Sequence, residues 1–113
     1  MPDKCLFCQI VRKEVPAKIL LETPECVAFH DINPQAPTHM VIVPKEHIAT
    51  LNDARNPAII GRLMLVAADV AKREGVGQSG YRVVVNTNAA AGQTVFHLHA
   101  HVLGGRQMTW PPG

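Results

Sequence analysis

The chain has 113 residues, 47% of them apolar, a net charge of +2 with histidines neutral and a mean hydropathy of +0.06. That is the length of one domain, residues 1–113, with enough apolar side chains to build a core without disulfides. No apolar run nears the ~20 residues that span a bilayer, and basic residues never run beyond the pairs Arg12-Lys13 and Lys72-Arg73, so neither a membrane nor a nucleic acid is an expected partner.

The N-terminal stretch MPDKCLFCQI has no basic region followed by a long apolar one, so no secretory signal is expected and a cytoplasmic protein is. Three cysteines, Cys5, Cys8 and Cys26, are an odd number and argue against a disulfide framework. Cys5 and Cys8 form a C-x-x-C, open to a metal, a redox or an incidental reading. No βαβ pattern surrounds it, which disfavours a thioredoxin-like role. A short helix is expected over residues 5–12, burying Phe7, Ile10 and Val11.

Strands are expected at 18–22, 25–31 and 39–43, with the Pro-rich loop INPQAPTH before the third. The clearest helix follows Arg55. Asn56 can cap it, Pro57 suits its first position, and Ile60, Leu63, Met64, Ala67, Val70 and Ala71 recur three and four apart as one buried stripe. Lys72 and Arg73 complement the dipole at its end, and Gly75 is a natural stop. Strands at 81–86 and 95–103 flank the small-residue loop NAAAGQ, and WPPG closes the chain. Strands that follow one another after short turns favour an α+β fold with an antiparallel sheet.

The last strand carries HLHAHV, three histidines at alternate positions. Alternation puts Val95, His97, His99 and His101 on one face and Phe96, Leu98, Ala100 and Val102 on the other. Three buried imidazoles without partners would be costly, so they should face a polar cleft, a metal or each other. An ordinary pKa near ~6.5 suits imidazole as base, acid or nucleophile near neutral pH.

The run HLHAHVLGG resembles the H-x-H-x-H-x-x motif of the histidine-triad family. FHDINPQAPTHMVIVPKEHI, GQTVFHLHAHVLGGRQM and WPPG resemble its HINT branch, over nearly the whole chain from Cys5 to Gly113. The resemblance implies a five-stranded antiparallel sheet with one long and one short helix, continued across a homodimer. It implies hydrolysis of purine nucleoside phosphoramidates, releasing AMP and an amine, through a covalent nucleotidyl-histidine and without a catalytic metal. His99 would be the nucleophile, His101 the general acid, and His39 and His97 the rest of the imidazole cluster.

Phosphate oxygens would be met by Asn86, Gly92, Gln93 and Thr94. Ribose hydroxyls would be met by Asp31, and the base by Phe7, Ile10, Phe29 and Ile32. Thr94 stands where relatives often carry Ser, and Ala91 where many carry Gly. Trp110 would lie near the partner protomer's site and affect substrate preference. Bacterial relatives resemble a Cys₂His₂ arrangement, here Cys5, Cys8, His47 and His97, which would hold a structural zinc. Three rival functions remain: dinucleoside polyphosphate hydrolysis as in the Fhit branch, a non-catalytic nucleotide- or partner-binding module, and a zinc-stabilised structural protein. The GGRQMTWPPG tail disfavours the first of these.

Overall fold

A computed structural model describes residues 4–113. In chain order it contains α1 (Leu6–Val11), β1 (Ile19–Glu22), β2 (Cys26–His30), β3 (Thr38–Pro44), a 3₁₀ turn (Leu51–Asp53), α2 (Pro57–Arg73), β4 (Tyr81–Val84), a second 3₁₀ turn (Ala89–Ala91) and β5 (Ala100–Gly104). The fold is α+β. One five-stranded sheet runs in the order β1-β2-β3-β5-β4, with every neighbouring pair antiparallel. The last strand in sequence therefore fills a central place, with His101 opposite both Val41 of β3 and Val84 of β4.

Each face of the sheet has its own apolar cluster. On one, Leu63, Val66, Ala67, Val70 and Ala71 of α2 cover Cys26, Ala28, Met40, Ile42, Ala100 and Val102. On the other, Phe7 and Ile10 of α1 cover Val27, Phe29, Val41 and Val43. Because β2 and β3 are covered on both sides, CVAFH and MVIVP are nearly continuous apolar runs rather than alternating ones. The faces fix the site. His39 and His101 fall on the α1 side, and α1 is too short to cover that side completely, which leaves an opening beside them.

The long helix follows its local signals. The Asn56 side chain accepts from the Ala58 amide at 2.9 Å, Pro57 opens the helix, and Gly75 follows it with φ +81°. The stripe differs by one step. Met64 is 36% exposed at the shoulder of the helix, while Val66 is buried. Val11, expected to be buried in α1, is only half-buried.

The larger correction concerns 95–103. Only 100–104 forms a ladder strand, and 95–99 is a bent segment in which Phe96 is 48% exposed and residues 97–100 are buried in succession. Strict alternation fails because this segment is held by the loop after β3, where the Leu98 amide donates to the Ile48 carbonyl at 2.6 Å, and not by a neighbouring strand.

Candidate active site

A cavity of about 540 Å³ opens beside α1. Its floor is apolar, with Phe7, Ile10, Phe29 and Val41. Its opposite wall is polar, with Asp31, His39, His99, His101, Asn86 and Thr94. Among the described residues no buried side-chain nitrogen or oxygen lacks a hydrogen-bond partner, so the imidazoles are accommodated.

The partners of each ring decide where its proton sits. His99 Nδ1 lies 2.7 Å from the His97 carbonyl oxygen. A carbonyl only accepts, so Nδ1 carries the hydrogen, and the neutral ring keeps its lone pair on Nε2. The ring stands edge-on to Phe7, centroids 4.9 Å apart.

A second chain begins at the Gln35 amide, which donates to His39 Nδ1 at 3.0 Å. The proton of neutral His39 is therefore on Nε2, which lies 2.9 Å from His101 Nδ1 and 3.4 Å from Asp31 Oδ2. His101 Nδ1 accepts, so His101 carries its hydrogen on Nε2. The site thus offers a lone pair on His99 Nε2 and an N–H on His101 Nε2.

Charge state agrees with this arrangement. Burial lowers the pKa of His99 and of His39, only partly opposed by the carboxylate of Asp31. Burial, reinforced by neighbouring His99 and His39, pushes His101 down to about 4. All three rings are neutral near pH 7, and only a neutral imidazole has a lone pair to give.

His97 faces elsewhere. Its ring is fully buried, does not line the cavity, and donates from Nε2 to the Pro44 carbonyl at 2.7 Å. The lone pair on Nδ1 then points at Cys5 Sγ (3.4 Å), Cys8 Sγ (3.5 Å) and His47 Nδ1 (3.3 Å), and Cys8 Sγ lies 3.3 Å from His47 Nδ1. The four ligand atoms lie within 4.8 Å of one another. Zinc with bonds of about 2.0–2.1 Å to nitrogen and 2.3 Å to sulfur spans tetrahedral edges of about 3.3 Å (N···N) and 3.6 Å (N···S). These residues fit that group, and the Pro44 carbonyl is the outer hydrogen-bond partner that fixes a ligating imidazole.

Asp31, His39 and His101 also cluster within 4.8 Å, but they do not fit a cation in the same way. A metal on His39 Nε2 would drive the ring proton to Nδ1, against the Gln35 amide that already donates there.

A family model, described as the HIT domain, matches residues 12–108. The chain belongs to the HIT family. A HIT family hydrolase from Legionella pneumophila superposes with a TM-score of 0.94 at 49% identity, over 97% of this chain and all of that one. A histidine triad nucleotide-binding protein from Candida albicans gives 0.84 at 30% identity, over 96% of this chain and 83% of that one. An uncharacterized HIT-like protein of Synechococcus elongatus is 47% identical over the full length of both chains.

Set on the HIT fold, most residues singled out in the sequence converge on the cavity. Asp31, His39, Asn86, Gly92, Thr94, His99 and His101 line it, with Phe7, Ile10 and Phe29 as its buried floor and Ile32 at the rim, 96% exposed. Three do not. His97 is turned to the cysteines, as above. Gln93 is buried with its side chain spent on structure, donating to the Ala49 and Val95 carbonyls and accepting from the Asn88 amide. Its own amide and that of Gly92 bond within the loop to Asn88 and Ala89, so of the four residues expected to meet phosphate, Asn86 and Thr94 are those that bring side-chain donors to the cavity wall. Trp110 is 82% exposed and outside this cavity.

Sequence reasoning missed the Gln35 amide, since a backbone group leaves no residue-type signal. It also missed Leu6, Val15, Pro16, Ala17 and Val41, apolar wall residues that read as ordinary core.

Proposed function

We propose that this HIT protein is a hydrolase of the HINT type that cleaves the P–N bond of purine nucleoside 5′-phosphoramidates, with AMP as the nucleotide product. The observation that carries the reading is the His99 Nδ1–H···O=C bond, which leaves the Nε2 lone pair directed at a nucleotide-sized cavity. The base lies between Phe7, Ile10, Phe29 and Ile32, and Asp31 accepts from the ribose hydroxyls. The phosphate lies against Asn86 and Thr94.

His99 Nε2 attacks the α-phosphorus, forming a P–N bond to the ring as the bond to the leaving nitrogen breaks. A solvent proton is relayed to that nitrogen through His101 Nε2, whose ring is neutral before and after, and the amine departs. Water then attacks the same phosphorus, its proton leaves by the same relay, and AMP and His99 are freed. His39 holds His101 in the tautomer that makes this possible.

Cys5, Cys8, His47 and His97 hold a structural zinc, which cross-links α1 to the segment before β5 and supplies no chemistry at phosphorus. The protein acts as a homodimer in which the sheet continues across the pair, in a cytoplasm that keeps its three thiols reduced.

Quenching the reaction of the wild type and examining it by mass spectrometry should reveal AMP attached to His99. The His99→Ala protein should lose turnover by about 10⁴-fold or more, with AMP affinity retained within a few-fold. Full turnover in that variant would remove the nucleophile from the scheme.

A further inference from the structure

His97 has two attachments that point in opposite directions. Its ring Nδ1 belongs to the Cys5, Cys8 and His47 cluster, and among the described residues its carbonyl oxygen is the acceptor for His99 Nδ1–H. Whatever fixes the His97 ring fixes the peptide that orients the nucleophile two residues on. A second connection lies in the segment just before it. Thr94 and Val95 line the nucleotide cavity on one side and, on the other, a cavity of about 460 Å³ that reaches Cys5 and His47. Thr94, Val95 and Leu6 are shared by the two cavities, and the first two belong to a stretch outside the sheet ladder.

We propose that His97 is a positioning residue through which metal occupancy of the Cys5–Cys8–His47–His97 cluster sets the tautomer and aim of His99. This rests on the reading of His99 as nucleophile given above. With the cluster loaded, the His97 peptide is pinned between the metal and the Pro44 carbonyl, and His99 is held as the Nδ1–H tautomer. With the cluster empty, His97 Nδ1 is left to accept from a thiol or from a His47 Nδ1–H, exchangeable hydrogen bonds that hold the ring less firmly than bonds to a metal. The ring and its peptide gain freedom, and the carbonyl that fixes the His99 proton is held less firmly. Phe29, Asp31 and Asn86 come from other elements, and Phe7 and Ile10 of α1 stay packed on β2 and β3, so the metal acts on turnover more than on affinity.

The test compares metal-free protein, prepared with a chelator under reducing conditions, with protein reloaded with Zn²⁺ or with the larger Cd²⁺. Three quantities are read: the imidazole ¹⁵N signals of His99, the Kd for AMP, and kcat and KM for an adenosine phosphoramidate. The expectation is one metal per chain and a single Nδ1–H tautomer in the Zn²⁺ form. The metal-free form should show averaged ¹⁵N signals and a kcat at least about tenfold lower, with Kd changed less than threefold. Cd²⁺, which keeps the fold closed but lengthens every ligand bond, should displace the His99 signals and lower kcat in the same direction. His47→Ala, at a residue that does not line the nucleotide cavity, should reproduce the metal-free form, and His47→Cys should restore metal binding and kcat together.

Failure to bind metal overturns the proposal. So does a His99 signal and kcat that stay the same across zinc, cadmium and metal-free forms. Absence of any phosphoramidate turnover in the zinc form would instead remove the functional reading, while the ¹⁵N signals still decide the coupling.

Discussion

Each imidazole of the strip is defined by what its other nitrogen touches. A carbonyl leaves His99 with its lone pair on Nε2, His39 leaves His101 with its N–H on Nε2, and Pro44 leaves His97 with its lone pair on Nδ1. Residue type and spacing reveal that histidines gather here, but not which nitrogen faces the cavity, because the deciding partners are the carbonyls of His97 and Pro44 and the ring of His39, whose placement the spacing does not give.

The same burial makes stability pH-dependent. His101 has an ordinary pKa of 6.5 when unfolded and is pushed to about 4 by burial and by neighbouring His99 and His39, with Asp31 opposing. Between those values the unfolded chain binds more protons than the folded one, so stability rises with pH across that window and is fully present above about 6.5. Urea unfolding should therefore give a lower midpoint at pH 5 than at pH 7, and His101→Gln should flatten that difference. An equal slope in the variant would show that His101 titrates alike in both states.

At the level of elements, legibility tracked how local the signal was. For α2, the cap, the Pro at its first position, the apolar stripe and the stopping glycine all lie within residues 56–75, and the helix forms over Pro57–Arg73. Replacing Asn56 with Ala should cost about 1 kcal/mol, because it removes the acceptor of the Ala58 amide. The change would be read as a lower urea midpoint with an unaltered m-value, and an unmoved midpoint would mean that the cap contributes nothing.

The stretch 95–99 departs from the expected strand for the opposite reason. Its β-branched and alternating letters match a strand, yet its geometry comes from Ile48, from the cysteine cluster and from a loop closed by Gln93. α1 lies between these cases. Six residues make a helix too short to persist alone, and it is held by Phe7 and Ile10 packing on Val27, Phe29, Val41 and Val43 together with the two thiols that meet His47 and His97.

On the scale of the whole molecule, the strand order leaves β1 and β4 as the sheet edges, and an edge that stays unpaired invites another chain. The C-terminal tail comes to one of them, since Arg82 of β4 donates to the Thr109 carbonyl at 3.0 Å, which sets exposed Trp110 beside that edge. If the proposed dimer continues the sheet through β4, Trp110 of each chain stands at the seam, where it can meet a leaving group bound by the neighbour. Light scattering should then give a mass twice the 12.3 kDa of one chain. A chain ending at Thr109 should remain dimeric and bind AMP unchanged. Its ratio of kcat/KM for bulky over small amine leaving groups should shift by roughly tenfold, the effect of about 1.4 kcal/mol of lost contact. Arg82→Ala, which frees the tail without removing the indole, should move the ratio in the same direction by less. A monomer in solution, or a ratio indifferent to both changes, would confine Trp110 to the surface of its own chain.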